Sequence, residues 1–488
     1  MSNYTISNPT LNPKRVFILQ KSEVEKRFDP FFYIPELLEL EKKVLAKQPK
    51  KLRDYVLKVA SGATPKTTET ELYYSEKENG IPFLRVQNLS PTGVLEFDDC
   101  KYINEETHNG MLKRSQVSAG DLLVKITGVG RMAIASVAPE GFIGNINQHV
   151  CVIKTGSKEI SETLSAFLNS DIGEKLASRR SAGGTRPALD YPALLSIPII
   201  EDKRILEITN KVILQKQTNE AEAEKILASI DDYLLGELGI TLPTPPENTL
   251  KNRMFISTYL QVTGNRYDPF FYKSYLVELE KSLNNSKYKL IKLQNICKLQ
   301  NGYAFKSSDY IDFSETMNVR MSNIRPNNNF DPDYNPKYLP NEYADTYKDF
   351  LLNDGDVIIA MTDMAGDPKI LGVPTVISNS NNRKLLLNQR VGKLFDFNLS
   401  EINIEYLKEI LGSKLIKSYY NKMGARGVQI NISSEQILSA KVPVPPLDKQ
   451  NEIADHITNI RNQAQELKDK TKDLLKKASE EIEEILLN

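Results

Sequence analysis

The stretch Arg27-Phe28-Asp29-Pro30-Phe31-Phe32-Tyr33 decides the fold, because it returns as Arg266-Tyr267-Asp268-Pro269-Phe270-Phe271-Tyr272. The segment LLELEK at 37–42 likewise returns as LVELEK at 276–281. Both pairs share one offset, since 266 less 27 and 276 less 37 each give 239. Half of the chain is therefore a tandem duplicate of the other half.

Later landmarks keep the same order, and their offset drifts by a few residues, as loop insertions would produce. They are, first half against second, Gly62 and Gly302, 85–88 and 320–323, Gly120-Asp121 and Gly355-Asp356, Asn147-Gln148 and Asn388-Gln389, and 183–186 and 424–427. A repeat of roughly 240 residues is far longer than a solenoid unit of about 20 to 50. Each copy is large enough to bury its own core, so the duplication can present two similar surfaces to a two-part target.

Composition indicates an ordinary globular protein of two or more domains, with 488 residues, 40% hydrophobic and 26% charged. The N-terminal sequence MSNYTISNPTLNPKR has no apolar core after a basic start, and no apolar run approaches the roughly 18 residues of a membrane span. We therefore expect a cytoplasmic protein. Its 63 basic and 63 acidic residues argue against coating nucleic acid through bulk charge, although local clusters could still bind it.

The cysteines and histidines do not predict a metal or redox site. The cysteines, which are far apart and not at equivalent repeat positions, are Cys100, Cys151 and Cys297. They support neither a disulfide framework nor a zinc site, and we interpret them as structural thiols. The histidines, which show no ligand spacing, are His108, His149 and His456.

Within each half the local signals follow one order. A helical segment comes first, at 34–47 and 275–283, with apolar residues three and four apart. Short stretches rich in β-formers follow, among Gly, Pro and Asn turns, at 82–86, 121–126, 150–153 and 356–360. The pattern predicts a mixed α/β (α+β) globule with long loops in each half.

Each half then ends in a long helix, at 202–238 and 448–487, which begins at an Asp cap just beyond a proline-bearing segment. The second helix has a heptad pattern of apolar residues, which predicts that it packs against a partner helix. A helix of about 35 residues is roughly 50 Å long, more than a domain of this size needs to cover its core. This length and the duplication favour an antiparallel coiled coil over surface helices packed on their own globules. The candidate seam residues are Ile205, Ile208, Val212, Ile226, Ile230, Leu234, Ile453, Ile457, Ile460, Ala464, Leu467 and Leu474.

The segment 443–453, PVPPLDKQNEI, resembles the proline-rich lead-in to the conserved helix of specificity subunits of type I restriction-modification enzymes. Further similar segments are 120–128 (GDLLVKITG), 147–150 (NQHV), 388–391 (NQRV) and the two Arg-x-Asp-Pro openings. The resemblance covers nearly the whole chain, and the repeated order of the motifs is more specific than any one of them.

The resemblance implies two target recognition domains, at 1–199 and 241–446, separated by spacer helices at 200–240 and 447–488. It implies a non-catalytic subunit of which each half reads one part of a split DNA target. The helices would dock two methyltransferase subunits, and restriction subunits would join that core. S-adenosylmethionine, ATP and Mg would then be bound by the partner subunits, and this chain would bind no cofactor. The first repeat departs from the family pattern at 197–203, where the second proline pair and the Gln are missing, so its methyltransferase contact is less secure.

Basic residues precede each glycine loop, and their recurrence favours contact with DNA phosphates. These candidates are Lys175, Arg179, Arg180 and Arg186 in the first half and Lys414, Lys417, Lys422 and Arg426 in the second. Their alternative role is a solvated charged face. Reading of bases needs Arg, Asn or Gln at a groove. The candidates for base reading, each of which could instead serve a turn, are Arg85, Gln87, Asn88, Arg131, Arg320 and Asn323.

Two enzyme-like signals are weak. The Asp29-Pro30 and Asp268-Pro269 segments resemble the Asp-Pro-Pro-Tyr motif of amino-methyltransferases but lack its second proline. Neither Gly128-Val129-Gly130 nor Gly183-Gly184 fits a nucleotide-binding phosphate loop. The alternatives to a specificity subunit are a DNA adenine methyltransferase with an unrecognised catalytic domain, and a coiled-coil scaffold with incidental globules.

Overall fold

The computed structural model describes residues 16–25, 27–247, 249–262, 267–326, 328–379 and 382–487. Arg266, the first residue of the repeated opening, lies outside the described residues. The chain forms two compact units, of which the first joins Met1–Ala221 to Leu467–Asn488 and the second is Glu222–Glu466. Each unit therefore contains one globule and part of each long helix.

In its described residues, the first half contains ten short strands and six α-helices before its long helix. The strands are β1 (Lys50–Lys51), β2 (Lys58–Ser61), β3 (Ile81–Leu84), β4 (Lys101–Ile103), β5 (Gln116–Ser118), β6 (Leu122–Lys125), β7 (Ala135–Val137), β8 (Ile143–Ile146), β9 (Val150–Lys154) and β10 (Pro198–Ile199). The helices are α1 (Pro35–Ala46), α2 (Thr70–Tyr73), α3 (Glu105–Asn109), α4 (Lys158–Asn169), α5 (Asp171–Arg180), α6 (Tyr191–Leu195) and the long α7 (Lys203–Glu237).

The second half repeats this series. Its strands are β11 (Leu290–Lys292), β12 (Lys298–Asn301), β13 (Thr316–Val319), β14 (Tyr338–Leu339), β15 (Leu351–Leu352), β16 (Val357–Ala360), β17 (Thr362–Met364), β18 (Pro374–Val376), β19 (Lys384–Leu387), β20 (Val391–Phe395), β21 (Ala425–Arg426), β22 (Gln429–Asn431) and β23 (Lys441–Pro443). Its helices are α8 (Leu250–Arg253), α9 (Tyr259–Val262), α10 (Ser274–Leu283), α11 (Tyr343–Thr346), α12 (Ile404–Gly412), α13 (Lys414–Met423), α14 (Ser434–Leu438) and α15 (Leu447–Leu487).

Two four-stranded sheets and one strand pair have the same topology in both halves, and the second half has a further three-stranded sheet, β17-β22-β21. One four-stranded sheet has the order β2-β9-β6-β7 in the first half and β12-β20-β16-β18 in the second. A second sheet has the order β4-β3-β8-β5 and, correspondingly, β14-β13-β19-β15, with one parallel pair in each, β3 with β8 and β13 with β19. The strand pair β1-β10 corresponds to β11-β23. The predicted mixed α/β tandem repeat is confirmed.

Helix caps also recur at equivalent places. Ser157 and Ser170 begin α4 and α5 by accepting hydrogen bonds from backbone N–H groups three residues ahead. Asn403 and Ser413 do the same for α12 and α13. A side-chain oxygen at this position satisfies a backbone donor that the helix leaves without an internal partner, so the sequence fixes where each pair of helices starts.

The long helices α7 and α15 run antiparallel within each unit. In the first unit, Asn219 Nδ2 donates to Thr471 Oγ1 at 3.0 Å, and Ile205 lies in one core with Ile482. In the second unit, the rings of Tyr233 and His456 are 4.1 Å apart. All the candidate seam residues are buried or half-buried. No helix in the described part of the chain is long and apolar enough to cross a membrane.

Candidate nucleic-acid interface

Four loops converge at the end of the β2-β9-β6-β7 sheet, and we call them the first loop cluster: 62–64, 126–131, 147–149 and 182–188. Backbone hydrogen bonds connect them in a chain. Gly62 N–H donates to the Asn147 carbonyl at 3.2 Å, Ile126 N–H donates to the His149 carbonyl at 2.9 Å, and Gly128 N–H donates to the Pro187 carbonyl at 3.0 Å. The glycine loop of the sequence is thus paired with the loop that follows β6.

The second half builds an equivalent surface, the second loop cluster, from 302–305, 361–366, 388–390 and 424–431. Met361 N–H donates to the Arg390 carbonyl at 2.9 Å, as Ile126 does to His149. Ala365 N–H donates to the Val428 carbonyl at 3.2 Å, which joins the loop after β16 to the second glycine loop. The two clusters are therefore assembled by the same connections.

The paired glycines Gly62 and Gly302 are required by close approach of the backbone. A Cβ added to Gly62 would lie 1.6 Å from the Ile146 carbonyl oxygen, and one added to Gly302 would lie 2.2 Å from the Asn388 carbonyl oxygen. No side chain fits at such distances without displacing the backbone. These repeated glycines therefore hold the clusters together and are not ligand-binding positions by themselves.

The basic residues before the first glycine loop are mostly internal, which corrects the expectation that they contact phosphate. Arg179 is 3% exposed and forms an ion pair with Glu41, and its Nε donates to the Phe32 carbonyl at 2.8 Å. Its guanidinium carbon lies 3.8 Å from the centre of the Phe32 ring. Arg180 is also buried and pairs with the same carboxylate. Burial lowers the pKa of each guanidinium to about 10, which leaves both charged at neutral pH.

In the second half, Lys422 likewise departs from the expected phosphate contact, because it is internal. It is 5% exposed, its Nζ forms an ion pair with Glu280, and it lies 4.6 Å from the centre of the Phe271 ring. Glu280 and Phe271 are the counterparts of Glu41 and Phe32 in the repeat. In each half, a cation near the end of a helix thus ties the repeated aromatic opening and the first helix to the globule. This arrangement is structural, because the cation is buried in each half and a buried cation needs a paired charge; Glu41 is buried with its partners, whereas Glu280 is half-exposed.

Three further basic candidates face the long helices. Lys175 Nζ lies 3.9 Å from Glu483 on α15. In the second unit, Lys414 contacts Asp231 on α7, through its backbone N–H at 2.9 Å and its ammonium at 3.9 Å. Burial lowers the pKa of Lys417, where the nearby Asp231 opposes the effect. These positions lie at the contacts between globule and helix, away from the loop clusters.

Two of the basic candidates belong to the loop clusters themselves. Arg186 is exposed in the first glycine loop, and it forms no ion pair within the part of the chain that the structure describes. Arg426, in the second, stacks on Phe270 at 3.4 Å and donates to the Asn421 carbonyl at 2.8 Å, so it is half-buried and held in place. Arg186 is the stronger candidate for a phosphate contact.

The paired asparagines proposed as base readers are turn residues, which is a second correction. Asn88 and Asn323 are buried, and each accepts a hydrogen bond at 2.9 Å from the backbone N–H three residues earlier, of Arg85 and of Arg320. Each asparagine also donates to a carbonyl beyond its turn, Asn88 to that of Glu96. Each amide is buried and bonded to the backbone through both its oxygen and its nitrogen, so it is not presented to a base.

The remaining candidates for base reading are already engaged to different degrees. Arg85 donates to the Asp99 carbonyl at 2.6 Å, and the exposed Gln87 donates to the Asp99 carboxylate at 3.1 Å. Arg320 donates to the Asn335 carbonyl at 2.7 Å. These bonds fix the side chains, but they do not bring them into a loop cluster.

Arg131 lies at the end of the 126–131 loop and is held by α5. Its guanidinium donates to Asp171 at 2.8 Å, and this hydrogen bond holds the pKa of that carboxyl below its usual range. The pair is half-exposed, so it adds little to stability. Its effect is to orient the loop, which places Arg131 in the first loop cluster as a positioning residue.

The structure adds contact candidates that sequence reasoning passed over as landmarks. Asn147 and Asn388 each accept a hydrogen bond at 3.1 Å from the backbone N–H two residues ahead, and these turns leave Gln148 and Gln389 exposed at equivalent places. Arg390 is exposed beside Gln389. A glutamine in this setting can form two hydrogen bonds with an adenine edge. The recurrence of Asn-Gln-x-Val was the signal that could have found them.

The Asp-Pro openings are helix starts, since Asp29 accepts a hydrogen bond from Phe32 N–H and Asp268 accepts one from Phe270 N–H.

Burial raises the pKa of Cys151 and of Cys297 to about 12. In the described ranges, no group of three or more His, Cys, Asp or Glu side chains is placed to hold a metal ion.

The fold thus defines a class of duplicated α/β proteins that carry one polar loop cluster in each half. Residues 285–477 match the family model described as the type I restriction modification DNA specificity domain. The matched residues lie in the second half of the chain, and the resemblance to type I specificity subunits is confirmed.

The chain is also similar to proteins of known family. The type I restriction enzyme MjaVIII specificity subunit of Methanocaldococcus jannaschii is 26% identical over 287 residues, which are 59% of this chain and 63% of that protein. The match thus spans just under two thirds of that relative's length. Among solved structures, the S subunit of a type I restriction-modification system from M. genitalium is 12% identical over 90% of this chain and 94% of its own, with a TM-score of 0.37. The HsdS subunit from Thermoanaerobacter tengcongensis is 15% identical over 90% and 94%, with a TM-score of 0.30.

Proposed function

We propose that this chain is the non-catalytic DNA specificity subunit of a type I restriction-modification complex, in which each half reads one part of a bipartite target. The observation that carries the proposal is the shared topology of the two halves, of which the second contains the residues that match the DNA specificity domain. Two copies of one recognition fold on one chain suit a target with two separate parts.

The loop clusters are the surfaces that we assign to DNA. Each cluster has glycines where its loops pack closely, an exposed glutamine, and an exposed or half-exposed arginine. These side chains are Gln148 and Arg186 in the first cluster and Gln389, Arg390 and Arg426 in the second. Arginine neutralises phosphate, and glutamine and arginine hydrogen-bond base edges in the major groove. The sheet beneath each cluster holds these loops in place. The two clusters differ in most side chains, so the two parts of the target would differ in sequence.

The partners in this proposal are double-stranded DNA, two methyltransferase subunits on the long helices, and restriction subunits joined to that core. S-adenosylmethionine, ATP and Mg belong to those partners, and the complex acts in the cytoplasm. The long helices support this assignment because α7 and α15 expose charged faces along most of their length while their seam residues are covered. Exposed helix faces of this kind are suited to docking a further subunit.

The test is to map N6-methyladenine across the genome of the source strain with and without this gene. The proposal expects one bipartite motif to lose its methylation when the gene is deleted. It also expects the purified chain alone to transfer no methyl group to DNA. Methyl transfer by the isolated chain would instead establish the alternative, an adenine methyltransferase, and an unchanged methylation map would refute the specificity role.

A further inference from the structure

Each loop cluster carries one strongly exposed valine at its apex. Val129 in the first cluster is 75% exposed, and Val428 in the second is 83% exposed. Both are next to glycine, Val129 between Gly128 and Gly130 and Val428 after Gly427. An aliphatic side chain flanked by residues without side chains forms a narrow apolar tip on an otherwise polar surface.

The first tip is held rigidly from below. Lys125 is only 3% exposed, and its ammonium donates to the carbonyls of Val129 at 2.8 Å and Arg131 at 2.9 Å. The glycines on either side have φ values of 125° and 81°, which other residues rarely adopt. The loop is thus fixed in its shape before any ligand binds, so ordering it costs little on binding.

The second tip is built from the other member of the loop pair. Gly427 and Val428 form the two-residue turn between β21 and β22, where Arg426 pairs with Ile430. The Val428 carbonyl accepts a hydrogen bond from Ala365 N–H at 3.2 Å, and the Arg426 side chain is stacked on Phe270. In the first half the valine lies in the loop after β6, and in the second it lies in the glycine loop. The two halves therefore reach one surface feature by different chain segments.

An exposed valine gains nothing from phosphate, because it can neither donate nor accept a hydrogen bond. The apolar group that the major groove presents is the C5-methyl group of thymine. A protein-docking site would be expected to contain aromatic anchors in an apolar patch. The nearest chain neighbours of these two valines are instead glycine, arginine and glutamine. The observations therefore favour DNA as the occupant.

We propose that Val129 and Val428 are specificity-determining residues that contact the C5-methyl group of a thymine, one in each part of the target. The inference rests on the proposed function and makes it more specific. A β-branched side chain with few rotamers suits this role, because its methyl groups are already fixed when the groove closes over them. Deoxyuridine pairs like thymidine but lacks the methyl group, so it isolates this one contact.

The experiment measures binding of the full chain, with its methyltransferase subunits, to its mapped target by competition. Every thymine in one part of the target is replaced by deoxyuridine, and the other part is left unchanged. We expect a loss of about three- to fivefold for each part, the effect of uncovering roughly one methyl group. In the Val129→Ala complex the uridine penalty should disappear for one part only, and in the Val428→Ala complex for the other.

Leu399→Ala is the matched control, since Leu399 is 63% exposed after β20 and lies outside both the loop clusters and the long helices. It should leave both uridine penalties unchanged. Urea midpoints equal to that of the parent chain show that the valine variants are folded, as expected for such exposed positions.

Three results would overturn the assignment: equal uridine penalties in the parent and alanine complexes, tolerance of uridine by the parent, or a part of the target without thymine. If Val→Ala instead weakens assembly with the methyltransferase subunits at an unchanged uridine penalty, the tip is a protein contact. Specific binding to a two-part target with full tolerance of uridine would refute the valine assignment and leave the proposed function standing. Absence of any specific binding would refute both.

Discussion

Replacing Arg179 by alanine should unfold or strongly destabilise the first unit, because this cation is a core element. The change removes one of the two charges that pair with Glu41 and leaves the Phe32 carbonyl without its 2.8 Å hydrogen bond. Breaking a buried ion pair costs about 3–5 kcal/mol. Since Arg180 still pairs with Glu41, we expect the lower end, about 3 kcal/mol, and a fall of about 1 M in the urea midpoint.

The chain supplies its own control for this prediction. Arg179→Lys reproduces the arrangement of the second half, where Lys422 pairs with Glu280 and lies over Phe271. We expect it to retain most of the stability that alanine loses. Arg186→Ala, in the exposed glycine loop, should leave the urea midpoint unchanged. It should instead reduce the salt dependence of DNA binding, by about one unit of slope for one lost phosphate contact.

The assays are urea unfolding of the full chain and DNA binding by the assembled complex at several salt concentrations. The reasoning would be refuted if Arg179→Ala kept the parent midpoint while its salt slope fell. Arg179 would then be a phosphate contact despite its burial. An unchanged slope in Arg186→Ala would show that the first glycine loop does not contact phosphate.

Three further outcomes are expected. Exchanging residues of about 50 to 196 for those of another family member should change one part of the methylated motif, as read by genome mapping, and a change in both parts would contradict modular reading. Inserting four residues after Glu222 lengthens α7 by roughly 6 Å, slightly more than one turn, so the mapped gap between the two parts should grow by one or two base pairs with each part unchanged; a retained gap with full activity would show that another element sets it. In a thiol titration of the native chain, only the half-buried Cys100 should react readily. Burial raises the pKa of Cys151 and of Cys297 to about 12, so these two thiols should react only after denaturation. Three reactive thiols in the native chain would contradict this burial.

The features that sequence predicted well are those written in periodic or repeated residues. The duplication followed from the two Arg-x-Asp-Pro openings, and the antiparallel helices followed from heptad spacing in α15. These signals are local, since a helix face or a repeated motif can be read without knowing what packs on it.

The roles of individual charges were predicted poorly because their partners are distant in sequence. Arg179 lies 138 positions from Glu41, and a basic run shows its charge but not its partner. One signal was nevertheless present. Glu41 occupies a position of the buried stripe Leu37, Glu41 and Val44, three and four residues apart. In the repeat Glu280 has the same spacing from the buried Leu276, although the Glu280 side chain is 49% exposed. An acid within a repeated apolar stripe predicts a buried cation elsewhere in the fold.

The start of the long helix contains a glutamine, Gln450, in the second repeat, and the first repeat lacks it. The two long helices are anchored differently as a result. Gln450, seven residues after Pro443, is fully buried, and its amide accepts from Asn403 N–H at 2.8 Å and donates to the carbonyls of Glu401 and Pro445. The residue seven positions after Pro198 is Ile205, which is buried in the core of the first unit.

The three hydrogen bonds of the Gln450 amide fix both the position and the rotation of α15, because each hydrogen bond is directional. An isoleucine fixes mainly the depth of burial, because apolar contact is not directional. At the start of α7, Glu201, Asp202 and Lys203 line an open groove of about 640 Å³ together with Tyr55 and Glu159. The start of α15 is therefore more tightly specified by its own globule than the start of α7. Two helices that are equivalent by duplication thus differ in how their first turns are anchored, and any partner that binds both must accept two local geometries.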